Sequence, residues 1–230
     1  MKRFYKDVSV APVEGGFGVL LDGKPVKTPA RNGLTLPTQK LADAIAAEWR
    51  EQGEEIVATS MPLLRLANSV IDGVADNQDG VIDAILRFGE NDLLCYRAHQ
   101  PRDLAVRQCE GWDPLLDWAR QKFGAQMTVA HGLNHVDQPA EALAALRGAL
   151  KQFDALTLGA LHVIASITGS TVLALAVAEG KVSPVRAFTL SRIDETYQAE
   201  KWGEDAQAAK RASALALELD KAAELIGYVR

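Results

Sequence analysis

From Ala155 to Ala178 the chain runs for 24 residues without an Asp, Glu, Lys or Arg. A stretch of that length and composition must be enclosed by lipid or by protein. Thr157, His162 and Ser166 break its apolar character, and Thr168-Gly169-Ser170-Thr171 places a helix stop and then a helix cap in mid-run. The pattern predicts two buried helices, Leu156 to Thr168 and Thr171 to Glu179, with Gly180 closing the second. No stable membrane insertion is expected, and a helical domain large enough to wrap both helices is required.

The 230 residues suffice for that, with 48% apolar and 24% charged side chains, as in folded globular chains. The net charge of -5 argues against nucleic acid as a general partner, because phosphate binding needs a basic field. Cys95 and Cys109 are the only cysteines and have no zinc-type spacing. Both read as small buried hydrophobes in a reducing compartment. The start, MKRFYKDVSV, has neither the apolar core of a secretory signal nor the character of a transit peptide. The expected location is the bacterial cytoplasm, or the mitochondrial matrix for a processed eukaryotic protein.

Before the helical part the pattern is that of strands. Asp7 to Val10 alternates, Gly15-Gly16 turns, Phe17 to Leu21 resumes, and Asp22-Gly23 turns again before Lys24 to Thr28. Pro29 to Gly33 makes a further turn ahead of Leu34 to Leu36. Thr38 then caps a helix carrying Leu41, Ala42, Ile45, Ala46 and Trp49, and Met61-Pro62 opens another. Val81 to Phe88 is helical, and a helix opened by Pro101 is expected to break or kink at Gly111 and Asp113-Pro114. Met127 to Val129 reads as a short strand and Pro139 as the start of a plain helix. The fold class is α+β: a small antiparallel β-rich N-terminal domain with packed helices, residues 1–75, followed by a larger mainly α-helical C-terminal domain, residues 76–230.

No complete catalytic constellation is present, and no cofactor or metal is expected. His131 and His135 have a ligand-like spacing, but Gly132 and Asn134 between them indicate a loop and no third ligand is near in sequence. His162 reads as a hydrogen-bonded core residue. Ser170 lacks the glycine context of a nucleophile turn. Asp113 and Asp117 read as solvated acids at a helix start. Glu195 and Glu204 stand nine residues apart with no adjacent nucleophile, so an enzyme using carboxylates of the C-terminal domain on a small substrate is kept as the alternative; it requires an enclosed pocket.

The most informative polar stretch is Ser191 to Arg211, SRIDETYQAEKWGEDAQAAKR. As a helix it sets Leu190, Ile193 and Tyr197 on an anchoring side and Glu195, Gln198 and Trp202 on nearly the opposite side. That second side is either a network between helices, with Gln198 and Trp202 locking the helix to its neighbours, or a surface that meets a partner. Ser183 and Pro184 open this region, and a last helix runs from about Gln207 to Leu225.

Several segments, in this order, resemble the Atp12 family of assembly factors for the F1 portion of ATP synthase. They are RFYKDVSV (Arg3 to Val10), LDGKPVKTPAR (Leu21 to Arg31), LADAIAAEW (Leu41 to Trp49), MPLLRLANSVID (Met61 to Asp72) and DLLCYRA (Asp92 to Ala98). The second half adds WDPLLDWA (Trp112 to Ala119), GSTVLALA (Gly169 to Ala176) and DETYQAEKWGED (Asp194 to Asp205). The resemblance implies a chaperone without enzymatic activity that binds the free F1 alpha subunit until beta replaces it. It also implies the same two-domain arrangement. The family signature Tyr-Gln-x-x-x-Trp-Gly-Glu maps onto Tyr197, Gln198, Trp202, Gly203 and Glu204, with Glu195 just before. Eukaryotic relatives carry longer acidic extensions after the Trp-Gly, whereas here Asp205 is followed by Ala206 to Arg211. Glu195, Gln198, Trp202 and Glu204 are therefore the expected partner-binding residues of a monomer, because dimerisation through the same face would compete with the client.

Overall fold

Alternation and glycine turns at the start of the chain produce an antiparallel sheet. The computed structural model of the protein describes residues 1–132 and 135–230, so Asn134 of the expected histidine loop lies outside the described residues. Strand β1 (Val8–Val13) pairs with β2 (Gly16–Leu21), placing Val8 opposite Leu21 and Val13 opposite Gly16. Two short strands, β3 (Lys24–Pro25) and β4 (Thr35–Leu36), also pair antiparallel with β2. Asp22 and Gly23 join β2 to β3 with φ of 48° and 77°, the left-handed values that a two-residue hairpin loop requires. Gly16 is fixed by space: a Cβ there would stand 2.2 Å from the Leu36 carbonyl oxygen.

Helix α1 (Gln39–Arg50) starts where the Thr38 side chain accepts from the Leu41 N–H at 3.2 Å. It packs Leu41, Ala42, Ile45, Ala46 and Trp49 against the sheet. Glu48 is buried on the same helix, and its two oxygens accept from the Leu63 and Leu64 N–H groups at 2.8 and 2.9 Å. Those donors are the free N–H groups at the start of helix α2 (Pro62–Ser69), whose first residue is the expected proline. A π-helical turn, Val70–Val74, extends α2. These elements form one compact unit, residues 1–78, together with residues 155–160 and 224–230. Within it Gly159 lies so close to Val70 that an added Cβ would stand 2.3 Å from a Val70 methyl. The Thr38 hydroxyl also donates to the Tyr228 carbonyl at 2.6 Å.

The second unit comprises residues 79–154 and 161–223. After helix α3 (Gln78–Glu90), a short 3-10 turn leads to β5 (Tyr96–Arg97), which pairs in parallel with β6 (Ala130–His131). The expected strand at Met127 to Val129 is corrected to Ala130–His131. Helix α4 (Arg102–Phe123) runs without interruption through Gly111 and Pro114, so the expected break is absent. Gly124, at φ 77°, ends it instead. Asp113 and Asp117 consequently lie in mid-helix rather than at a helix start. Asp113 holds the buried Arg97 at 2.5 Å, and Asp117 pairs with Arg120 at 3.0 Å.

Helix α5 (Ala140–Leu150) follows Pro139 as expected. The uncharged run forms α6 (Ala155–Thr168) and α7 (Thr171–Ala178), separated at Gly169, with φ 67°, and Ser170. All of α7 is buried by protein. Among the described residues no helix is long and apolar enough to cross a membrane. The Ser170 hydroxyl accepts from the Leu173 N–H at 2.9 Å and so caps α7.

Asp92 joins that cap. Fully buried, it accepts from the Val172 and Leu94 N–H groups, both at 3.1 Å, and interacts with Ser170 and Thr171. Burial nevertheless outweighs these hydrogen bonds and pushes its carboxyl up to about 6. The molecule is an α+β protein with a small antiparallel sheet near its start and a mostly helical remainder.

Candidate functional site

The stretch from Val182 onward folds as three helices where the sequence suggested one helix running into a last one. Ser183 caps α8 (Pro184–Ser191) by accepting from the Arg186 N–H at 3.2 Å. The backbone turns at Arg192, and α9 (Ile193–Trp202) begins. Gly203, with φ 94° and ψ 157°, ends α9 in a conformation that disfavours any side chain. Asp205 then accepts from the Ala208 N–H at 2.8 Å at the start of α10 (Ala206–Val229).

The inner side of α9 is held against α4 by a ladder of contacts. Gly111 supplies the close approach, since a Cβ there would lie 2.9 Å from both Leu190 Cδ2 and Ile193 Cδ1. The buried Trp112 ring nitrogen donates to the Leu190 carbonyl at 2.9 Å. Gln108, also buried, donates to Asp194 at 2.6 Å and accepts from the Ala98 N–H at 2.7 Å. The Tyr197 hydroxyl lies 2.8 and 2.9 Å from the two Asp103 carboxylate oxygens. Arg107 pairs with Glu200 at 2.7 Å, Lys201 lies 3.8 Å from Asp103, and both cations stand 5.3 Å from the centre of the Tyr197 ring.

The charges respond accordingly. The Tyr197 hydrogen bond holds the Asp103 carboxyl below the usual carboxylate range. Burial and then Asp103 push the Tyr197 phenol up, and the Glu200 hydrogen bond raises Arg107.

The outer side of α9 carries the residues expected to meet a partner. Glu195 and Gln198 are exposed, and Trp202 is 79% exposed. Glu195 forms a pair with Arg192 at 2.7 Å. The alternative in which Gln198 and Trp202 lock the helix to its neighbours is therefore overturned: Asp194, Tyr197 and Glu200 do that, on the other side. Glu204 is also exposed but follows Gly203, outside the helix, so helical spacing does not place it with the other three. An exposed indole beside a carboxylate and an amide offers flat apolar contact area edged by hydrogen-bonding groups.

Both glutamates of the proposed acid/base pair stand on open surface rather than in an enclosed pocket. An open cleft of about 370 Å³ lies elsewhere, lined by Lys2, Arg3, Tyr5, Glu54 and Glu55. His135 contacts the Tyr96 hydroxyl and Asp137, both at 3.2 Å. His162, expected as a hydrogen-bonded core residue, is half-buried and edge-on to Phe88 with ring centres 6.4 Å apart, and burial lowers its pKa. Cys95 is buried, with its thiol pushed up by burial, whereas Cys109 is only half-buried. Among the described residues no three His, Cys, Asp or Glu side chains are grouped to hold a metal ion.

Comparison with known proteins supplies the family. The model of the ATP12 chaperone protein matches residues 2–120. The mitochondrial protein atp12 of Schizosaccharomyces pombe is 25% identical over 215 residues, covering 88% of this chain and 74% of that protein. The crystal structure of Atp12 from Paracoccus denitrificans aligns with a TM-score of 0.95 at 41% identity, covering 100% of this chain and 98% of that one. The crystal structure of the Atu1473 protein from Agrobacterium tumefaciens aligns with the same TM-score at 46% identity, over 100% of this chain and 86% of that one. With a family match across more than half its length and the same fold over all of it, this chain belongs to the ATP12 chaperone family.

Proposed function

We propose that this chaperone acts in assembly of the F1 sector of ATP synthase, holding the free alpha subunit until beta replaces it. The observation that carries this reading is the exposure of Trp202 on a helix whose opposite side is fixed by Tyr197, Asp194 and Glu200. A large apolar ring left in water on a braced helix is suited to burial by another protein. An unassembled subunit exposes apolar interface, and a factor that covers it lowers the concentration available for aggregation. Glu195 and Gln198 share the outer side of α9 with the indole and edge it with polar groups, which suits a contact that must later be released, and Glu204 lies beyond the turn.

The protein works as a monomer in this reading, in the bacterial cytoplasm or in the mitochondrial matrix, and performs no catalysis. Co-purification with the isolated alpha subunit, with beta as comparison, tests it. Capture of alpha and not of beta is expected; a folded chain that captures neither would end the proposal.

A further inference from the structure

Two segments that no partner reading has used, Leu21 to Arg31 and Met61 to Asp72, meet in one device. Thr28 to Asn32 forms a tight hairpin loop: the Arg31 N–H donates to the Thr28 carbonyl at 2.8 Å, and the Thr28 N–H to the Asn32 carbonyl at 2.9 Å. This geometry puts Arg31 at φ 70°, the loop position that glycine or asparagine ordinarily fills. Among the described residues the other non-glycine residue with positive φ is Asp22, a residue type that tolerates the conformation. Arginine gains nothing locally from standing there.

The loop is gripped from a distant part of the sequence. Asp72, in the π-helical turn after α2, accepts from the Thr28 hydroxyl at 2.6 Å, the Ala30 N–H at 3.0 Å and the Asn32 side-chain amide at 3.0 Å. Thr28 is buried beneath this clamp, while Arg31 is exposed, and among the described residues its guanidinium has no ion pair or hydrogen bond. A single carboxylate therefore spends its acceptor capacity on holding the backbone around a strained, unpartnered arginine.

We infer that the Thr28–Asn32 loop is a second client contact, with Asp72 as positioning residue for the loop and Arg31 as an exposed fork for a carboxylate on the client protein. Strain held at an exposed arginine by a dedicated clamp is the arrangement expected of a recognition group. The clamp fixes the Arg31 backbone and leaves its planar guanidinium free to form a two-pronged pair with a carboxylate. The inference rests on the client reading above, which identifies the client as the F1 alpha subunit.

The test compares Arg31→Gly, Arg31→Lys and Arg31→Glu in the full chain by thermal unfolding and by titration of isolated alpha subunit. Glycine suits the loop better, so Arg31→Gly is expected to unfold at the same or a higher temperature yet bind alpha roughly tenfold more weakly. Arg31→Glu is expected to bind more weakly still, and Arg31→Lys between wild type and Arg31→Gly. Capture of alpha by wild type with equal affinity in all three variants would overturn this contact and leave the client reading standing. A marked fall in the unfolding temperature of Arg31→Gly would assign the arginine to the fold and also overturn it. Absence of any capture by the wild-type chain would remove both.

Discussion

The hydroxyl of Tyr197 lies within hydrogen-bonding distance of both carboxylate oxygens of Asp103, at 2.8 and 2.9 Å, across 94 residues of sequence. The phenol is the central fastening between α9 and α4, flanked by Gln108 with Asp194 and by Arg107 with Glu200. It holds one side of α9 against α4, and Glu195, Gln198 and Trp202 on the other side are left exposed.

Replacing Tyr197 by phenylalanine keeps the buried ring and deletes the fastening. The expected loss is one hydrogen bond to a half-exposed carboxylate, about 1 kcal/mol, and so a fall in Tm of about 2–4 °C. Client binding should fall more than stability does, because the outer face loses its brace. Unchanged Tm and unchanged binding in Tyr197→Phe would show that the ladder is dispensable.

Asp92 makes stability depend on pH. Burial lets the folded chain keep this proton up to about 6, whereas in the unfolded chain the carboxyl titrates at its ordinary value of 3.8. Between these values the folded state binds more protons, so this contribution is complete below 3.8 and is lost as pH rises through about 6. The difference corresponds to about 3 kcal/mol. Urea unfolding of wild type and Asp92→Asn from pH 4 to 7.5 should give curves that diverge by about that amount. Parallel curves would contradict it.

Gly159 and Val70 leave no space for a methyl group. Gly159→Ala should destabilise by about 1–3 kcal/mol from overpacking, more than the roughly 1 kcal/mol that alanine gains in a helix. In a Val70→Ala background the same change should be nearly harmless, a coupling that a double-mutant cycle measures. Additive effects would place the strain elsewhere.

Features whose chemistry is local were legible in the sequence. Thr38, Ser170 and Ser183 are caps, Pro62 and Pro184 open helices, and Asp22-Gly23 makes a hairpin, each because neighbouring backbone groups demand it. The anchoring of Tyr197 and the outward side of α9 also follow from helical spacing, whereas Leu190 belongs to α8, across the turn at Arg192.

What escaped was set by distant residues. Gly111 reads locally as a breaker, but its missing side chain is what admits Leu190 and Ile193, so α4 continues through it. Asp113 reads as a solvated acid because nothing nearby announces the buried Arg97. Asp103, Gln108, Glu48 and Asp92 gave no signal of their own, since a carboxylate or amide acquires a structural role only when the fold brings its donors. Gly203 reads as part of a signature, while its conformation is what separates Glu204 from the helical face.

Whether the exposed face of α9 meets the client is decided by titrating isolated F1 alpha subunit with wild type, Glu195→Lys and Trp202→Ala. Trp202 is 79% exposed, so removing its ring should change stability by no more than about 0.5 kcal/mol. Wild type should bind alpha and not beta, and each substitution should weaken binding roughly tenfold or more at unchanged Tm. Binding of alpha with equal affinity by all three proteins would contradict it.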